Sequence, residues 1–156
     1  MLRAQKSKIG LSAAGLRFGI AAARYNPELA DSLVEMCLAT LEAAGADLRR
    51  SRVIRVPGSF EVTAAAARLA QSGRYDCVIG LGVILQGATS HAEHIAGAVA
   101  HGLTTVAITT GVPTVFGIVT ANNLRQARER CLDREYNRGR EAARTAIEMA
   151  RTWTNL

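Results

Sequence analysis

The run DCVIGLGVIL, from Asp76 to Leu85, limits the possible folds of this chain more than any other stretch. Nine apolar or glycine residues follow the aspartate without interruption. Such a run predicts a central strand of a parallel sheet, buried on both faces. The segments around it fit that frame. RFGIAAA (Arg17–Ala23) reads as a short buried strand, and SRVIRVPG (Ser51–Gly58) as another, ended by Pro57 and Gly58. Between them, Asn26 is placed as an N-cap with Pro27 at the first helical position, where a missing N–H costs nothing. Leu29, Leu33, Met36, Cys37 and Leu41 then recur at helical spacing, and Gly45 supplies a stop. SFEVTAAAARLAQSG predicts a second helix, capped by Ser59 and closed by Gly73. SHAEHIAGAVAHGL predicts a third. TTVAITT (Thr104–Thr110) and TVFGIVT (Thr114–Thr120) are both strand-like, with Gly111 and Pro113 between them. NNLRQARERCL and RGREAARTAIEMARTW read as two closing helices.

Strands alternating with helices imply a parallel sheet covered on both faces, with ligands at the carboxyl ends of the strands. Residues 1–15 lack periodicity and are expected to form a loose N-terminal arm, with residues 16–156 as one domain. No stretch is long and uncharged enough to span a bilayer. The apolar run near the start is broken by Arg17 and Arg24, which argues against a signal peptide.

Charge narrows the partners. The net charge of +6 favours anions, yet the basic residues are scattered, with only short clusters at Arg49-Arg50 and Arg138–Arg140. That distribution suits a small phosphate ligand better than nucleic acid. Aromatic residues make up only 4% of the chain, too few for the stacking platforms that hold single strands. Cys37, Cys77 and Cys131 are odd in number and far apart. They show neither a disulfide framework nor zinc spacing, so a reducing compartment, the cytoplasm, is expected.

The stretch GVILQGATSHAEHI (Gly82–Ile95) carries the chemistry. Gly87 lets backbone approach a ligand closely, and the helix that follows offers free N–H groups and a positive dipole end. Ser90 with Glu93 also matches a capping box, so from this turn alone a phosphate cradle and a plain helix cap are both open readings. His91, His94 and His101 fall near one helical face. Without thiolates or an HExxH arrangement they make a poor zinc motif. An imidazole beside a phosphate cradle is instead suited to proton transfer near neutral pH.

RVPGSFEV (Arg55–Val62), LGVILQGATSHAEHI (Leu81–Ile95) and VFGIVT (Val115–Thr120), followed by QARER and NRGREAARTAIEMA, together resemble the lumazine synthase family, over about residues 15–151. The resemblance implies a three-layer αβα sandwich around a four-stranded parallel sheet, flavodoxin-like in layout. It implies condensation of 5-amino-6-ribitylaminouracil with 3,4-dihydroxy-2-butanone 4-phosphate to 6,7-dimethyl-8-ribityllumazine, releasing phosphate and water. No metal or redox cofactor is implied. The expected assembly is a homopentamer, in some members an icosahedral shell of pentamers, with active sites between neighbours. In this sequence Tyr25 matches the aromatic that stacks on the pyrimidine. Ser59, Phe60 and Glu61 match the pyrimidine- and ribityl-binding turn, and Val83, Ile84 and Leu85 the pocket floor. Gly87, Ala88 and Thr89 match the phosphate-binding loop, and His91 the proton-transfer histidine. Phe116 matches an aromatic from the neighbouring subunit, Arg130 the phosphate-binding arginine, and Arg134 a basic position that often carries Lys.

Several residues depart from the family pattern. Gln86 stands where Arg is common, Ala88 where an acid is common, Ala92 where an aromatic is usual, and Leu132 where glycine is usual. A second reading therefore stands beside the enzyme: a non-catalytic paralogue, or an engineered shell subunit, that keeps the fold. Retained Glu61, His91 and Arg130 favour the enzyme, and Ala92 favours the alternative.

Overall fold

The structure, a computed structural model, describes residues 10–156. Four strands, β1 (Phe18–Ala23), β2 (Arg52–Val56), β3 (Cys77–Leu85) and β4 (Thr114–Ala121), form one parallel sheet in the order β2-β1-β3-β4. Five helices connect and cover it: α1 (Pro27–Ala43), α2 (Ser59–Gln71), α3 (His91–Thr110), α4 (Leu124–Leu132) and α5 (Arg138–Thr154). The uninterrupted run at β3 is buried along its length except for Leu85, which is half-buried, as a strand flanked on both sides and both faces requires.

Alternation along the strands builds two cores. Phe18, Ile20, Ile79, Leu81, Val115 and Val119 point to one face and pack on α1 and α5, with Ala127 and Cys131 of α4 closing the layer. Ala21, Val78, Ile84 and Ile118 point to the other face and meet Val62, Leu69, Val99 and Leu103 of α2 and α3. The three-layer α/β arrangement with four parallel strands is thus the expected one.

One strand-like segment is not a strand. Thr104–Thr110 continues α3 without a break to Gly111. Its density of β-branched residues suggests β-structure, but helical spacing wins, because Val99, Leu103 and Val106 share the face buried on the sheet. The threonine hydroxyls fit the helix too. Those of Thr104, Thr105, Thr109 and Thr110 donate to carbonyls four residues back, at 2.9, 3.0, 2.8 and 2.6 Å. Gly111 ends the helix in the left-handed region (φ 72°), its N–H reaching the Ala107 carbonyl.

Two caps differ from expectation. Gly58, not Ser59, is the N-cap of α2, and Ser59 is the first helical residue, buried against the sheet. Asn26 does stand at the N-cap of α1, but in a left-handed conformation (φ 57°) and with no side-chain capping bond. Residues 1–9 of the expected arm lie outside the described residues. Residues 10–15 carry no helix or strand but are tied down. Ala13 is buried and donates its N–H to the Ala44 carbonyl at 2.8 Å. The Arg151 guanidinium donates to the carbonyls of Ser12 and Ala14 at 2.9 and 2.7 Å.

Candidate active site

The carboxyl ends of β1, β2 and β3 bring the first group of residues together. Beyond the ends of β1 and β2, backbone pairing continues through Arg24 to Val56 (2.8 Å) and Tyr25 to Pro57 (3.0 Å). This holds Tyr25 beside the Pro57-Gly58 turn with its ring 68% exposed. The next two side chains diverge. Ser59 is buried, its hydroxyl 3.5 Å from the Val83 carbonyl, while Phe60 is 60% exposed. Glu61 turns back, and its carboxylate accepts from the Gly58 N–H at 2.9 Å. The close seat of α2 depends on Gly82, where a Cβ would lie 2.5 Å from Ser59 Oγ.

At the end of β3 the alternation separates the three floor residues. Val83 and Leu85 face the α1 and α5 layer, and Ile84 faces α2 and α3. Three side chains on two faces cannot line one surface together, so what this strand end offers is its terminal backbone with Ile84 on one side. The turn that follows, Gly87-Ala88-Thr89, is exposed and leads into α3. Gln86 braces it from within, its amide nitrogen donating to the carbonyls of Thr89 (3.1 Å) and Gly87 (3.4 Å). Those bonds engage carbonyls only and leave N–H groups of the turn available to an anion. The expected Ser90–Glu93 capping box does not form. Ser90 makes no side-chain cap and its hydroxyl lies 3.1 Å from His94 Nε2. His91 opens α3 with an exposed side chain. Ala92 is buried behind it, on the wall of an open cleft of about 410 Å³ that also includes Ile84, Gly97 and Thr120.

The second group lies elsewhere, along the free outer edge of β4. There a cleft of about 550 Å³ is lined by Phe116, Ile118 and Thr120 of β4, by Arg125 and Arg130 of α4, and by Arg138 of α5. The guanidiniums of Arg130 and Arg138 share one carboxylate, Glu141, at 3.9 and 3.0 Å. Arg138 also donates to the Phe116 carbonyl at 2.9 Å, capping an unpaired group of the edge strand. The cleft therefore has an aromatic wall and three arginines, with Glu129 in the lining and Glu141 paired to two of them, a composition with an excess of cations fitted to a phosphate-bearing ligand.

One subunit does not bring the two groups together. The outer cleft reaches Thr120 and Ala121 of β4, the register partners of Ile84 and Leu85. None of the first group lines the outer cleft.

Arg134 does not reach the cleft. It is exposed on the α4–α5 connection, and its carbonyl accepts from Arg140 at 3.0 Å. Arg138, passed over in the sequence, takes the place beside Arg130, and Glu141 joins them. The available signal was Asn137, whose side chain caps α5 and thereby puts Arg138 in the first turn. Among the described residues, no group of three or more His, Cys, Asp or Glu is placed to hold a metal ion.

A family profile described as 6,7-dimethyl-8-ribityllumazine synthase matches residues 15–154. A 6,7-dimethyl-8-ribityllumazine synthase of Aquifex aeolicus (strain VF5) is 42% identical over 146 residues, which cover 94% of this chain and 95% of the relative.

Proposed function

Because the chain belongs to the 6,7-dimethyl-8-ribityllumazine synthase family, we propose that it works through an active site shared between two neighbouring subunits. The enzyme condenses 5-amino-6-ribitylaminouracil with 3,4-dihydroxy-2-butanone 4-phosphate. It forms 6,7-dimethyl-8-ribityllumazine and releases phosphate and water, a step of riboflavin biosynthesis. The observation that carries the shared site is the split just described. The family's residues fall into two groups on one chain, and none of the first group lines the cleft that holds Phe116 and Arg130.

In this reading one subunit supplies Tyr25 to stack on the pyrimidine, Ser59, Phe60 and Glu61 to hold it and its ribityl chain, and the β3 end with Ile84 beneath. Gly87, Ala88 and Thr89 offer backbone N–H groups to the phosphate at the start of α3. His91, first in that helix, moves protons during Schiff-base formation and phosphate elimination. The neighbour supplies Phe116 over the ring and Arg130 on the phosphate. Arg138 is the second cation in the position first expected of Arg134. Paired guanidiniums stabilise the phosphate as it leaves. Holding both reactants side by side supplies much of the acceleration.

The same reading makes the protein a cytoplasmic homopentamer that closes into an icosahedral shell. Three buried, unbridged thiols fit a reducing compartment. The α4–α5 connection is only the five residues 133–137, leaving that surface open to further contacts. The test of function is direct. Purified protein is mixed with both substrates and lumazine absorbance is followed. Product forming in proportion to protein is expected. No product at high protein concentration would leave a non-catalytic shell subunit as the reading.

A further inference from the structure

The Asn137 side chain is fully buried, although the five residues before it, Leu132 to Tyr136, are all exposed. Its Oδ1 accepts from the Gly139 N–H at 2.8 Å, an ordinary N-cap bond. Its Nδ2 does something a cap does not require: it donates to the carbonyl of Cys131, in the last turn of α4. That carbonyl belongs to the helix end whose acceptors lack helical partners. It receives a second bond, at 2.6 Å, from the hydroxyl of Ser32 on α1. Gly139 rests directly on the backbone of α1, where a Cβ would collide with the Leu33 carbonyl. A single amide thus ties the end of α4 to the start of α5, and both to α1.

The two residues it grips are the immediate neighbours of Arg130 and Arg138, two of the three arginines that line the outer cleft. Cys131 follows Arg130, and Gly139 follows Arg138. We propose that Asn137 is a positioning residue that fixes the spacing of Arg130 and Arg138 for a phosphate group, with Ser32 as its anchor on α1. The inference rests on the reading of that cleft as a phosphate site. The need for such a device is electrostatic. The two guanidiniums share one carboxylate, Glu141, and repel each other until an anion arrives. The exposed connection between them offers little burial to resist that repulsion. A fixed spacing lets both engage one phosphate without paying the ordering cost at the moment of binding.

The test uses the full-length enzyme, with inorganic phosphate as the probe and the KM of each substrate measured separately. Asn137→Ala is expected to weaken phosphate inhibition and raise the KM for the butanone phosphate roughly tenfold, as a small misplacement of binding groups does. The KM for the pyrimidine should stay as in the parent. Ser32→Ala, a milder change on α1, should shift the same two quantities in the same direction by a smaller factor, and it decides the matter if Asn137→Ala does not fold. Unchanged phosphate inhibition in folded Ser32→Ala overturns the inference. So does an equal rise in both KM values, which marks general loosening. Arg130→Ala, run in parallel, separates the two readings. If it weakens phosphate inhibition while the positioning variants do not, the positioning role alone is lost. If Arg130→Ala changes nothing either, the phosphate site itself is lost.

Discussion

At the scale of single residues, the three basic positions near the α4–α5 junction have different surroundings despite similar sequence context. Arg130 and Arg138 flank one cleft and one carboxylate, while Arg134 sits outside it. Arg130→Ala and Arg138→Ala should each weaken butanone phosphate binding and turnover by ten- to a hundredfold. A lost charged hydrogen bond is worth about 1.5–3 kcal/mol. Arg134→Ala should leave both within about twofold, because an exposed charge contributes little. Steady-state kinetics with the butanone phosphate varied at saturating pyrimidine checks the contrast. Equal losses at Arg134 and Arg138 would return the assignment to the one read from sequence. Ala92 illustrates the opposite limit of a residue-level reading. Its small size is visible in the sequence, but the cleft of about 410 Å³ beside it is visible only when Ile84, Gly97 and Thr120 close around it.

At the scale of elements, the sheet edge that carries Phe116 depends on how closely α5 approaches it. Gly117 is the contact point. A Cβ there would stand 2.6 Å from Leu81 Cδ2, 2.7 Å from the Gly80 carbonyl oxygen and 3.1 Å from Ala142 Cβ. One of those neighbours is backbone of the central strand and cannot rotate away. Gly117→Ala should therefore destabilise the protein by about 1–3 kcal/mol, the usual cost of overpacking a filled core. It should also raise the KM for the butanone phosphate, since α5 carries Arg138. Urea unfolding followed by circular dichroism measures the first effect, and a midpoint equal to the parent's would contradict the packing argument. The second half of α3 shows why such elements are hard to assign from sequence. TTVAITT has the composition of a strand, and only its register with Val99 and the sheet surface makes it a helix.

At the scale of the whole molecule, the proposed shared site requires neighbours. Sedimentation should give at least a pentamer, and under shell-forming conditions a closed particle built from pentamers. A monomeric and fully active protein would contradict the shared site. A pentamer-sized species alone, at high concentration and across buffers, would remove the shell and leave the site intact. Leu132, the last residue of α4, and Tyr136 on the α4–α5 connection are exposed, and in the proposed shell they would alter the angle between pentamers. The thiols should make stability depend on pH in the alkaline range. Burial pushes Cys37 up to about 12 and Cys131 up to about 11, from an ordinary value of 9.0. Cys77 is raised further, also by burial. A group whose folded pKa is raised contributes stability that is fully present below its unfolded pKa and lost as pH climbs through the folded value. The urea midpoint should therefore fall between pH 9 and 12, and Cys37→Ala should lose less across that interval. Equal losses in the two proteins would show that Cys37 is not part of the effect.

Local pattern and composition were enough to specify much of this protein. The uninterrupted run at β3 demanded a strand covered on both faces, and the 3.6-residue spacing of Leu29, Leu33, Cys37 and Leu41 demanded a helix to cover one of them. The turn from Gly87 to His91 was legible because glycine, hydroxyl and imidazole types follow one another along the chain. What the tertiary structure alone decided involves residues distant in sequence. It includes the helical state of Thr104–Thr110, the substitution of Arg138 for Arg134 in the outer cleft, and the grouping there of Phe116 with Arg130 and Arg138. The physical reason is common to all three. Periodicity records which face of an element is buried, but the sheet order, the strand register and the seating of one helix on another arise from packing between elements, which no local stretch encodes.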